Sequence, residues 1–216
     1  MDPINTVILD SKINLFPSVD YVRHSFLRGE VVAFPTETVY GLGCDITNES
    51  AVNRIYELKG RPVSNPLTVY IHKPELAAGL CMDVPEEFYK LAEELLPGPL
   101  AIVMRKREGV PGYINSNLDT ISIRIPDNEF VFELLTSLCR PMVGTSANLS
   151  GGQPPKTFKE VLDTFRGKIP IAVDGGDCPL GVESTIISLA GDSPTLIRKG
   201  SVPLHKIELI LKMKLK

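Results

Sequence analysis

The chain has 216 residues, 43% hydrophobic and 23% charged, which is enough for one sizeable core and suits a single domain. A net charge of −3, 6% aromatic residues and no tryptophan exclude a general nucleic-acid coat, while a local basic cavity stays compatible. Cys44, Cys81, Cys139 and Cys178 are scattered with no C-x-x-C pair, which excludes a zinc ribbon or dithiol motif and suits reduced, buried thiols. No apolar run approaches the roughly 18 residues of a membrane span, and the N-terminus has no apolar signal segment, so a cytoplasmic location and no membrane partner are expected.

Taken in order, Ser18 is placed to cap a first helix through Val19, Val22 and Phe26, with Gly29 beyond its end. Val31 to Phe34 reads as a buried strand stopped by Pro35. The polar residues Thr36, Glu37 and Thr38 follow, and Gly41 and Gly43 let the backbone turn sharply or approach a ligand. Ala51, Val52, Ile55 and Leu58 form a helical stripe with Thr47 and Asn48 as capping candidates and with Gly60 and Pro62 at its end. Leu67 to Ile71 is a strand, Phe88 to Leu95 a helix stopped by Pro97 and Gly98, and Leu100 to Met104 a strand ending in Arg105, Lys106 and Arg107. That basic trio is either a solvated strand end or one wall of an anion site.

Thr120 to Ile125 alternates, so Ile121, Ile123 and Ile125 face a core while Thr120, Ser122 and Arg124 share the other face. Asp127 can cap the next helix through Val131, Leu134, Leu135 and Leu138. Pro141 to Gly144 leads into the polar loop Ser146 to Ser150, the kind of strand end where open α/β sheets bind ligands. Thr157 and Glu160 form a capping-box pattern, Ile169 to Val173 is a strand, and Ser184 to Leu189 with Thr195 to Arg198 reads as a strand pair before a last helix from Pro203. Six or so strands and about five helices predict an α/β fold with a twisted, mixed sheet. It is expected as one domain over 1–216, with its core over about 15–200 and a C-terminal helix over about 203–214.

Two readings stand for Lys59 and Arg61. They suit a phosphate, helped by Ser64 and Asn65, or they complement a helix dipole with Gly60 as the C-cap. Neither G-x-x-x-x-G-K-[ST] nor a strand-linked G-x-G-x-x-G occurs, so any ATP site is built from side chains. Lys59, Arg61 and Arg198 can carry phosphate charge, and Ser64, Asn65, Thr120, Ser146 and Asn148 can supply neutral hydrogen bonds.

PTETVYGLG, KGRPVSNPL, GTSANLSG and GVESTII, in that order over about residues 15 to 200, resemble the YrdC-type family of threonylcarbamoyl-AMP synthases. The resemblance implies a YrdC-like sheet around a concave cavity. It puts the ATP group above, with the neighbourhood of Pro154, on one side, and Thr36, Thr38, Tyr70, Arg124, Gly144 and Ser184 around L-threonine on the other. Arg124 suits the amino-acid carboxylate because its planar fork binds two oxygens. Where family members often have histidine this chain has Tyr70, which offers an O–H but does not titrate near neutrality. His72 shares its strand face by period, and His24 and His205 fall on helical patterns away from every motif.

Scattered histidines and no G-x-S-x-G leave catalysis to positioning rather than to a protein nucleophile. The implied reaction converts L-threonine, bicarbonate and ATP to L-threonylcarbamoyladenylate and pyrophosphate, with Lys59 and Arg61 in catalytic roles. Mg²⁺ is held mainly by the phosphates, with Glu37 and Glu183 as candidate ligands. A downstream transferase complex would place the group on adenosine 37 of tRNAs reading codons that begin with A, and tRNA itself is a further candidate partner. Longer relatives carry an extra C-terminal domain, so a short form is expected. The alternatives are an RNA-binding module and a paralogue without threonine adenylation, the latter favoured by Tyr70 and opposed by the intact KGRP, SNP and SAN segments.

Overall fold

Each strand's alternation decides which of its faces is covered. In the computed structural model, which describes residues 4–216, the elements are β1 (Val7–Asp10), α1 (Leu15–Leu27), β2 (Val32–Phe34), β3 (Gly41–Asp45), α2 (Glu49–Lys59), β4 (Thr68–Tyr70), α3 (Glu86–Leu95) and β5 (Leu100–Arg105). They continue through β6 (Thr120–Arg124), α4 (Glu129–Leu138), β7 (Met142–Ser146), α5 (Phe158–Phe165), β8 (Ile171–Asp174), β9 (Thr185–Ser188), β10 (Thr195–Arg198) and α6 (Leu204–Leu211). The first three residues, part of the segment where no signal sequence is expected, lie outside the described ones.

All ten strands form one mixed sheet in the order β1-β8-β2-β3-β7-β4-β6-β5-β9-β10. β1 and β2 flank β8 in parallel, β4 pairs parallel with β6 and β5 with β9, and the remaining neighbours are antiparallel. On one face Ile121, Ile123, Val69, Val143 and Ile187 join a core with α2, α3, α5 and α6. On the other, α1 and α4 cover Val32, Phe34, Met142, Ile171 and Val173, with Tyr70 at the border. Beyond Tyr70 that second face carries the polar side chains of β4, β6 and β9, which form a concave surface.

The mixed α/β reading holds, with ten strands and six α-helices where six or so and about five were expected. β1 is an added edge strand, too short and too exposed to show as a core strand. β3 is a correction of kind: Gly41 and Gly43 form no turn but lie on a fully buried strand between β2 and β7. A Cβ on Gly41 would lie 2.7 Å from the Phe34 ring, and one on Gly43 would lie 2.9 Å from that ring and closer still to the Val143 carbonyl oxygen. The glycines therefore make room for an aromatic side chain and for the β7 backbone, and Gly41 lines the cavity described below. Two caps shift by a few residues. Asn14, not Ser18, stands at the start of α1, and Asn128, not Asp127, caps α4 by accepting from Val131 N–H at 3.2 Å. Asn48 caps α2 at 2.9 Å, Gly60 closes it in the left-handed conformation with φ 57°, and the Thr157–Glu160 capping box forms.

Candidate active site

The polar cavity on the open face is built from ends of strands. Tyr70 at the end of β4 pairs in register with Arg124 at the end of β6, and Thr68 with both Ser122 and Gly144. The cavity is lined by Thr38, Thr68, Tyr70, Arg124, Gly144 and Ser146 together with Arg61, Glu183, Ser184, Ile186 and Arg198. β3 and β10 stand fourth and tenth in the sheet yet share this cavity, so the sheet curls across it.

Arg124 is held on the cavity wall by a buried ion pair. Its Nη2 donates to Glu37 Oε1 and to Thr38 Oγ1, each at 2.8 Å, with the side chains of Arg124 and Glu37 only 6% and 8% exposed. Burial works against its charge, but electrostatic attraction and hydrogen bonding from Tyr70 and Glu37 outweigh it and raise its pKa; the Tyr70 ring centroid lies 5.6 Å from the guanidinium carbon. Burial raises the Tyr70 pKa, against the pull of Arg124, so the phenol stays protonated. The Tyr70 ring lies against Gly144, where a Cβ would approach to 2.7 Å.

Arg198 donates from Nη1 to Glu183 Oε1 at 2.7 Å and from Nη2 to the Ser184 carbonyl at 2.9 Å. Simple alternation would put Arg198 on the Leu196 side, toward the core. A bulge at Ile197 shifts the register, so that Leu196 pairs with Ile187 and Arg198 with Ile186, and the guanidinium turns into the cavity. Arg61 donates from Nε to the Asn65 carbonyl at 3.0 Å and from Nη2 to the Pro66 carbonyl at 3.1 Å, bracing its own loop. Burial, with Arg198 nearby, lowers its pKa.

Of the residues expected around an amino acid, Thr38, Tyr70, Arg124, Gly144 and Ser184 line the cavity, and Thr36 does not; it is 1% exposed beneath Thr38. Of the expected ATP group, Arg61, Ser146 and Arg198 line it. Lys59 sits behind the wall, 2% exposed, donating to the carbonyls of Ser146 and, at 2.7 Å, Asn148. Lys59 ends α2 above the Gly60 cap, where its charge complements the helix dipole. Burial, reinforced by Arg61 and opposed by Glu183, lowers the Lys59 pKa to about 8.

Asn148 spends its amide on the Leu149 and Gly152 carbonyls, both at 2.8 Å. Ser64 and Asn65 are exposed on the loop braced by Arg61, and Thr120 and Pro154 are half-buried outside the cavity lining. His72 packs edge-on against Phe132, ring centroids 6.2 Å apart, outside that lining.

Residues 25–200 match the model of the Sua5/YciO/YrdC family, described as telomere recombination. The chain belongs to this family. Members similar to it include the threonylcarbamoyl-AMP synthases of Pyrococcus abyssi, 45% identical over 88% of this chain and 56% of that protein, and of Bacillus subtilis, 40% identical over 90% and 57%. The crystal structure of P. abyssi Sua5 complexed with L-threonine superposes with a TM-score of 0.89 at 39% identity, over 98% of this chain and 63% of that one. The chain thus spans about half the length of the curated Sua5/YciO/YrdC relatives it matches.

Among the described residues no three His, Cys, Asp or Glu side chains converge as a metal site. Glu37 and Glu183 are each committed to an arginine, so these donors do not fit a metal held by the protein. The roles that the sequence left unassigned are those of Glu37 as the anchor of Arg124, of Glu183 as the partner of Arg198, and of the bulge. The first two carry no local signal because their partners lie 87 and 15 residues away.

Proposed function

We propose that this chain synthesises L-threonylcarbamoyladenylate from L-threonine, bicarbonate and ATP with release of pyrophosphate. The observation that carries the proposal is one cavity lined by three guanidinium groups, those of Arg61, Arg124 and Arg198. Such a cavity offers guanidinium partners both to a carboxylate and to a polyphosphate chain. The names of the P. abyssi and B. subtilis relatives and the L-threonine bound to P. abyssi Sua5 support the same reading.

In this reading Arg124 binds the threonine carboxylate, with Thr38, Tyr70, Ser184 and the Gly144 backbone around the rest of the amino acid. The amine adds to the carbon of bicarbonate and loses water, giving an N-carboxylate. One oxygen of that carboxylate then attacks the α-phosphorus of ATP, and the bond to the β-phosphate oxygen breaks to release pyrophosphate. Such a displacement needs alignment and charge stabilisation, not a protein nucleophile. Arg61 and Arg198 supply positive charge from the wall, and Ser146 donates a hydroxyl. Lys59 acts mainly by fixing the Ser146–Asn148 backbone. Mg²⁺ accompanies ATP on its phosphates, and Ser64, Asn65, Thr120, Asn148 and Pro154 belong to the outer part of the nucleotide site.

The product is a mixed anhydride, passed to a tRNA-modifying transferase that forms N6-threonylcarbamoyladenosine. The chain would work in the cytoplasm, and among the described residues no helix is long and apolar enough to cross a membrane. The test is pyrophosphate release by the purified protein with ATP and Mg²⁺, omitting threonine and bicarbonate in turn. Release is expected only with both. No release under any combination from a folded sample overturns the proposal.

A further inference from the structure

Among the described residues that line the cavity, Glu183 is the only acid, set with Arg61, Arg124 and Arg198. The two ion pairs of that wall are held differently. The Glu37–Arg124 pair is buried, whereas the side chains of Glu183 and Arg198 are 32% and 38% exposed. A pair this open to water adds little stability and exchanges partners readily. Glu183 is also not needed to aim Arg198. Nε and Nη2 of Arg198 donate to the Ser184 carbonyl at 3.2 and 2.9 Å, and Nη2 also reaches Ser184 Oγ at 3.2 Å. Glu183 takes only Nη1, at 2.7 Å. The backbone of Glu183 is fixed, because the N–H and Oγ of Ser201 donate to its carbonyl at 3.0 and 3.1 Å. A Cβ on Gly200 would lie 2.4 Å from that same oxygen, so the two segments pack backbone to backbone. The carboxylate can therefore leave Nη1 by rotating its own side chain while Arg198 keeps its direction.

We propose that Glu183 is a displaceable counter-ion of the polyphosphate site: its carboxylate holds Arg198 Nη1 until a phosphate oxygen takes that place, and it returns as the phosphate leaves. The inference rests on the nucleotide reading and deepens it. A phosphate chain carries more charge than one carboxylate and can engage Arg198 and Arg61 together. The displaced carboxylate stays on its fixed backbone beside the bound phosphates and repels them, so ATP and pyrophosphate are held less tightly than three arginines alone would hold them. Glu183 is a neighbour of Lys59 and Arg61 as well, where its charge opposes the lowering of both pKa values by burial. One acid thus moderates the whole cationic wall and eases the departure of pyrophosphate.

The experiment is calorimetric titration of wild type and Glu183→Gln with pyrophosphate and with ATP, without Mg²⁺, so that no metal contact of Glu183 enters. Glutamine keeps an oxygen for Arg198 Nη1 and removes only the charge. Glu183→Gln is expected to bind both ligands about tenfold more tightly, between the water and near-surface limits for one charge a few ångströms away. The gain should narrow between about 0.1 M and about 1 M salt, as the screening length falls from about 10 Å to about 3 Å. In steady-state assays with Mg²⁺, the KM for ATP and the inhibition constant of pyrophosphate should both fall by about tenfold. A residue that merely held Arg198 in place would raise both when changed. Should Glu183→Gln not fold, Glu183→Ala removes the same charge and carries the comparison. Unchanged or weaker pyrophosphate binding in the variant, or a gain that does not narrow with salt, overturns the inference alone. Wild-type protein that binds neither ATP nor pyrophosphate, with or without Mg²⁺, overturns the functional reading and the inference with it.

Discussion

Replacing Glu37 with alanine tests whether the cavity is held by its buried ion pair. Glu37 and Arg124 are 8% and 6% exposed and meet at 2.8 Å. The contact is made through a single nitrogen, because Glu37 Oε2 and Arg124 Nε are both buried without a partner. Breaking a buried pair from one side leaves an uncompensated charge and costs about 3–5 kcal/mol. The single-point geometry, the remaining Thr38 bond and the Tyr70 ring place Glu37→Ala near the lower end, about 3 kcal/mol. For a chain of this size that is a fall in Tm of roughly 6–12 °C. Urea unfolding with a constant slope gives the free energy directly. Glu37→Leu/Arg124→Met should recover most of the loss, since replacing both partners with apolar groups removes the stranded charge. A Glu37→Ala cost under about 1 kcal/mol, or a double variant as unstable as the sum of the singles, would refute the reasoning.

Arg61→Ala should lower pyrophosphate release by about a hundredfold or more while the protein stays folded, the scale of removing one stabiliser of developing charge. Arg105→Ala, on the exposed end of β5, should stay within about twofold; equal, mild effects would mean that the nucleotide end of the cavity is misassigned. Lys59 gives a pH signature in stability. Its folded pKa, about 8, lies below the 10.5 of the free side chain, so between those values the unfolded chain binds more protons and stability rises with pH. Below pH 8 both states are charged and the native state carries the penalty of burial. Urea unfolding across this window should show the rise in wild type and a flatter profile in Lys59→Met; identical profiles would exclude this role.

Much of the fold can be read from the chain because its signals are local. The Ile121, Ile123 and Ile125 alternation, the Thr157–Glu160 box and the Gly60 cap each act within a few residues, and each is where its pattern puts it. β3 is not legible, because Gly41 and Gly43 are shaped by the Phe34 ring across the strand pair, and a glycine that makes room for a partner looks the same as one that makes a turn. The cavity divides in the same way. Arg124 can be assigned to a polar strand face from its alternation alone. Arg198 cannot, since its direction depends on a bulge that alternation does not encode. Lys59 shows as a cation beside Arg61, but its burial against the Ser146 and Asn148 carbonyls depends on residues 87 and 89 positions later.

The strand that carries Arg198 follows the other nine described strands in sequence and lies at the rim of the sheet, with β9 as its strand neighbour. On the ribosome, Arg61 and Arg124 emerge long before their counterpart, and pairing over such sequence distances is slow. A chain made only as far as β9 therefore carries Arg61 and Arg124 without Arg198. Arg198 joins them only in a chain that has been made through β10 and has closed its sheet, so a complete pocket is itself a report that the sheet has closed.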